Sequence, residues 1–199
     1  ASNRKRWTPI ASGRIPWKAM GSFWRCLPLE VSDKLTREGT TMSEPDFGFA
    51  SGTLIRTKEG LKPIETVSVG DWVLSFPDDQ APPNHKREEN EYIFARVAEV
   101  WKIADRPLSR LLVDHLASNK RDEIFVTPNQ PIYLANTGWA KVESLRATST
   151  LENYYFGNLM VARNYAEAQR GIAYNLALEK LHTFYVGAHG VWSHSCSID

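Results

Sequence analysis

One short pattern occurs twice in this chain, and it restricts the fold more than any other feature. GLKPIETV starts at Gly60 and GWAKVESL at Gly138, 78 residues later. In each copy a glutamate, Glu65 or Glu143, stands five places after the glycine, and an apolar residue, Leu54 or Ile132, stands six places before it. A strand, a glycine turn and a short [IV]-E-x-[VL] segment repeated at fixed spacing suggest a duplicated half-domain with pseudo-twofold symmetry. The alternative is chance, since glycine-turn hairpins are common.

The runs around these copies are short, apolar and β-branched. Phe49 to Thr57 is broken by the turn Lys58-Glu59-Gly60, and Val67 to Phe76 surrounds Gly70-Asp71, where Asp71 reads as a turn former rather than an acid. Further strand patterns are expected over 92–103, 108–116, 123–127, 131–135 and 172–192, the last split by Gly187 and Gly190. Residues 164–170, NYAEAQR, are expected to form one helical turn. The proline-rich and charged stretch 77–91 is expected to be an exposed, mobile hairpin tip, with His85 solvated. The fold class that follows is all-β, built from short strands with many turns.

Composition limits the function classes. A chain of 199 residues, 42% hydrophobic, supports one core plus a flank. A net charge of +1 gives no overall field to attract nucleic acid or an anionic membrane, and no run approaches the 18 apolar residues of a membrane span. Two cysteines, Cys26 and Cys196, exclude a disulfide framework and a cysteine-rich zinc site. Two free thiols are preferred to a Cys26–Cys196 bridge, and the compartment stays undecided. Residues 1–47 form a distinct flank and linker. Arg4, Lys5, Arg6, Arg14, Lys18 and Arg25 alternate there with Trp7, Trp17, Phe23 and Trp24, with no acid before Glu30. Such a stretch suits stacking on nucleobases or a membrane surface. Docking of its aromatics on a neighbouring domain is the preferred reading, and the near-neutral charge ranks nucleic acid last.

The Phe49-Ala50-Ser51-Gly52-Thr53 start, GLKPIETVSVGDWVLS, the Thr127-Pro128-Asn129 block, Gly138-Trp139 and the closing YNLALEKLHTFYVGAHGVWSH together resemble a Hint domain. They are most similar to the pretoxin Hint modules of bacterial polymorphic toxins, relatives of inteins and of the hedgehog autoprocessing domain. The resemblance implies a compact Hint fold over 48–195, flanked by 1–47 and 196–199. It implies an acyl shift on the chain's own backbone without cofactor or metal, at the junctions Phe47–Gly48 and Ser195–Cys196. The partner would be the flanking polypeptide in cis, with a toxin domain or delivery protein beyond it, in a larger protein exported by a bacterial secretion system.

The resemblance also assigns positions, and several carry the wrong reagent. Gly48 occupies the place of the attacking Cys or Ser and has nothing to attack with. Thr127 and Gln130 occupy the TxxH block, where Gln130 can donate a hydrogen bond but cannot act as a general acid. Ser195 replaces the terminal asparagine and cannot form a succinimide. His182, the penultimate His194 and the downstream nucleophile Cys196 remain. His182 is open between assisting C-terminal cleavage and being a satisfied, half-buried histidine. The chain is therefore expected to be cleavage-incompetent, by engineering or by natural decay. Restoring Gly48→Cys with Gln130→His is expected to revive N-terminal cleavage. The rival reading is a non-enzymatic scaffold that docks a toxin or delivery partner.

Overall fold

The computed structural model describes residues 45–80, 82, 85, 88–154 and 159–195. The basic aromatic flank up to residue 44, Cys26 and Cys196 lie outside the described residues.

The two copies of the repeat fold alike. Strands β2 (Leu54–Thr57) and β3 (Gly60–Pro63) form a hairpin, as do β7 (Pro131–Leu134) and β8 (Gly138–Lys141). Gly60 and Gly138 open the returning strands with φ of 115° and 99°, a region that L side chains avoid. Each hairpin runs into one turn of 3-10 helix, Ile64–Thr66 and Val142–Ser144, which buries its first residue in the core. The correspondence continues past the motif. Gly70 N–H donates to Val97 O and Thr148 N–H donates to Val161 O, both at 2.8 Å, and both residues have positive φ. Val97 and Val161 lie in the two longest strands, β5 (Ile93–His115) and β10 (Leu159–Leu178). Each half therefore comprises a hairpin, a 3-10 turn and a long strand, and β5 and β10 pair antiparallel along their lengths.

The remaining strands tie the halves together. Strand β1 (Phe49–Ala50) lies between β10 and β6 (Lys120–Val126), while β4 (Trp72–Ser75) joins β5 to β2 and β9 (Thr150–Leu151) joins β10 to β7. The last hairpin, β11 (Thr183–Val186) and β12 (Val191–His194), pairs with both copies, Val186 opposite Ile55 and Ser193 opposite Ile132. One side of the sheet encloses the main core, which includes Phe49, Ile55, Ile64, Ile132, Val142 and Phe184, all fully buried. A separate aromatic cluster centres on Trp192 and Tyr185, with Phe76, Tyr133 and Trp139 around them.

Two expectations are corrected. Residues 164–170 belong to β10 rather than to a helical turn. The helix-forming residues Ala166, Glu167 and Ala168 are taken up in an irregularity between the pairs Tyr165–Arg110 and Gln169–Leu108, with Glu167 at φ 45°. Pairing with β5 overrides local propensity there. The stretch after β4 also does not project wholly into solvent. His85 is exposed and paired with Glu91, but Asp78 at the base of the loop turns inward.

Candidate functional site

The short strand β1 brings the Phe47–Gly48 peptide into the interior. Gly48 N–H donates to Thr127 Oγ1 at 2.9 Å, and Thr127 N–H donates back to Gly48 O at 2.9 Å. Phe47 O accepts a 3.0 Å bond from Asn175 Nδ2. Both polar groups of this one peptide are therefore held by buried side chains, Thr127 at 1% and Asn175 at 0% exposure. Asn175 has no place in the sequence assignment. Its signal was a lone amide inside the apolar run Gly171 to Leu178, since a buried amide must find partners.

Gly48 does more than lack a nucleophile. A Cβ placed on it would lie 2.4 Å from Tyr174 O and 2.9 Å from Tyr174 C. These are backbone atoms of β10, next to the register pair Phe49–Tyr174. The position that an attacking side chain would occupy is filled by main chain. Gly48→Cys therefore does not restore a nucleophile to a vacant place, which corrects the expectation drawn from the sequence.

A turn links this peptide to the other end of the domain. Gln130 N–H donates to Thr127 O at 3.1 Å, and Gln130 Nε2 donates to His194 O at 2.8 Å and Pro131 O at 3.1 Å. Two carbonyls on Nε2 fix the amide orientation and leave Oε1 buried without a hydrogen-bond partner among the described residues. A glutamine here can clamp the chain before Ser195 but cannot deliver a proton.

His194 is 3% exposed and lies between two oxygens. Nδ1 is 2.7 Å from Ser195 O, and Nε2 is 3.3 Å from Asp78 Oδ2. The hydrogen bond from His194 holds the Asp78 carboxyl below its ordinary range, although burial opposes it. Ser195 N–H donates to His182 O at 2.6 Å, and the rings of His182 and His194 stack with centroids 6.4 Å apart. The edge of Trp139 packs at 5.1 Å against His194.

The structure thus brings Gly48, Thr127, Gln130, His182, His194 and Ser195 into one chain of direct contacts, and adds Asp78 and Asn175. Asp71 lies apart, accepting from Ser68 N–H and Lys62 Nζ in a surface turn. Among the described residues no group of three His, Cys, Asp or Glu side chains is placed to hold a metal ion. The arrangement is suited to gripping and polarising two backbone carbonyls, Phe47 O through an amide and Ser195 O through an imidazole.

The sequence over residues 54–196 matches a family described as "Pretoxin HINT domain". No curated relative matches the chain. Among solved structures, the bacterial intein-like domain from Clostridium thermocellum superposes with a TM-score of 0.59 at 24% identity, over 74% of this chain and 98% of that one. The gp41-1 intein gives 0.56 at 17% identity, over 75% and 98%. The DnaB intein from Synechocystis sp. PCC 6803 gives 0.56 at 13% identity, over 74% and 98%. At these identities the likeness establishes the shared fold and nothing finer.

Proposed function

This chain belongs to the pretoxin HINT family, and from that premise we propose that it is an intein-like autoprocessing module in an arrested form, acting in cis on its own flanking polypeptide. The module extends over 48–195. Its two junctions are Phe47–Gly48 and Ser195–Cys196, and it is one segment of a larger exported toxin-like protein. Acyl shift at a peptide needs an attacking atom, a polarised carbonyl and a proton for the departing nitrogen. At Phe47–Gly48 the carbonyl is bonded to Asn175 and the nitrogen to Thr127, but no attacking atom is present and Gln130 supplies no proton.

One observation carries the reading: Tyr174 O stands where a Gly48 side chain would be. The upstream peptide is held as it would be for reaction, around a packed centre without the reagent. The purified chain is expected to remain a single 22.6 kDa species by intact mass spectrometry over days at neutral pH. Two fragments with a new amino terminus at Gly48 would overturn the arrest. The same grip supports a second reading, a scaffold that joins both flanks to a delivery partner. Co-purification of such a partner, lost on removing residues 1–47, would favour it.

A further inference from the structure

The NYAEAQR segment plays no part at either junction, yet it carries a phenol set among guanidinium groups. Tyr165 stands opposite Arg110 in the β5–β10 register, immediately before the irregularity that takes up Ala166 to Ala168. Its phenol oxygen accepts a 3.3 Å hydrogen bond from Arg163 Nη1. The guanidinium carbons of Arg163 and Arg110 lie 5.4 and 5.5 Å from its ring centre. The Arg163 hydrogen bond holds the phenol below the ordinary tyrosine range, although desolvation opposes it, and the charges of Arg163, Arg110 and Arg121 act in the same direction as the bond.

The charges of this cluster do not balance. Arg110 is paired with Glu123, and Arg121 grips Asp114 with two bonds of 2.6 and 2.9 Å. Arg163 has no carboxylate partner among the described residues, and the group it bonds is the uncharged phenol. Three cations therefore stand beside two carboxylates, and the oxygen bonded to the surplus cation belongs to Tyr165. An anion on that oxygen completes the set. The position is also open to an enzyme: Tyr165 is 38% exposed, residues 166–170 after it are exposed, and the pairing with β5 is interrupted there.

We propose that Tyr165 is a phosphorylation site, and that Arg163 and Arg110 form the cradle for the phosphoryl group it accepts from a nucleoside triphosphate through a tyrosine kinase. The phenol oxygen bonds to the terminal phosphorus, the bond from that phosphorus to the nucleoside diphosphate oxygen breaks, and the phenol proton leaves to the base of the kinase. The product carries about −1.5 to −2 charge at neutral pH and three acceptor oxygens, the group that clustered arginines bind best. It supplies the anion that Arg163 lacks and ties β10 to β5 beside the irregularity. The site needs neither junction, so it stands whether or not the chain cleaves itself.

The test uses the full chain, a soluble tyrosine kinase of broad specificity and ATP, with intact mass and peptide mass spectrometry as readouts. Of the 7 tyrosines, Tyr165 is expected to take the group first, and Tyr165→Phe to lose that addition. In the phosphorylated chain, phosphorus-31 NMR should place the second phosphate ionisation about one unit below its usual value of roughly 6. Arg163→Gln should return it most of the way, and Arg163→Lys should fall between. Addition at another tyrosine first, or none at Tyr165 in the folded chain, overturns the site. A phosphate that ionises at the same pH in the parent and in a folded Arg163→Gln overturns the cradle.

Discussion

Gly48→Ala isolates the steric part of the proposed upstream arrest from its chemistry. The new Cβ would stand 2.4 Å from Tyr174 O, whereas ordinary carbon–oxygen contact begins near roughly 3.3 Å, so β1 or β10 must retreat by about 0.9 Å. Overpacking of this kind costs about 1–3 kcal/mol. A shift of β1 also strains the two bonds between Gly48 and Thr127, each contributing about 0.5–1.5 kcal/mol. Alanine's narrower unfolded ensemble returns up to about 1 kcal/mol. The net loss is about 2–4 kcal/mol, a large part of the 5–15 kcal/mol of a typical domain, and corresponds to a fall in Tm of roughly 10 °C for a chain of this size. Thermal unfolding followed by circular dichroism measures it. The thiol variant Gly48→Cys should fall at least as far, and Gly48→Cys with Gln130→His should stay uncleaved. Melting of Gly48→Ala within a degree of the parent would refute the argument, because the place beside Tyr174 O would then accept a side chain.

Two further outcomes follow from the same geometry. Thr148 holds φ 74° in the place of Gly70, which has φ 95° in the other half. Thr148→Gly should therefore raise stability by about 0.5–1 kcal/mol, since a left-handed β-branched residue costs about 1–2 kcal/mol and glycine's extra unfolded entropy returns part of it. A urea midpoint that does not rise sinks this. The domain should also lose stability on acidification in two stages. Desolvation, helped by His189, lowers the His115 pKa below 6.5. The unfolded chain then protonates first, and stability present above 6.5 is lost as pH falls through the folded value. Asp78, held below 3.8 chiefly by His194, adds a second loss at lower pH with the same sign. Urea midpoints across pH measure both stages, and His115→Gln should flatten the upper one.

The sequence discloses the part of this architecture that repeats. The glycine turns at Gly60 and Gly138 and the buried starts of the 3-10 turns at Ile64 and Val142 are local chemistry, and local chemistry leaves a pattern. The partners of the site residues are not local. Asn175 reaches Phe47 across 128 positions and Asp78 reaches His194 across 116, so neither bond has a spacing to read. Asp78 was further obscured by the acidic, proline-rich segment around it, which reads as solvated throughout. The helix-like NYAEAQR segment misled for the complementary reason. Its composition favours helix, but the pairing partner that decides its conformation, Arg106 to Arg110 of β5, lies far away in the chain.

The same non-local construction makes the shape of the site independent of the reagents it carries. The two junctions are brought together by the strands that hold the halves to each other, β1 between β6 and β10 at one end and β12 against β7 at the other. The grip on Phe47 O comes from near the C-terminal end of β10, and the clamp on His194 O comes from the turn that leads into β7. Folding alone therefore accounts for Thr127, Gln130 and Asn175 in these places, because each satisfies a buried backbone group that would cost about 1–3 kcal/mol if left without a partner. At Gly48 the demands of chemistry and packing conflict directly, because a nucleophile requires a side chain where the Tyr174 main chain leaves no room for one. A nucleophile at position 48 therefore requires the β10 main chain to stand farther from β1 than it does here, in addition to the proton donor that Gln130 does not supply.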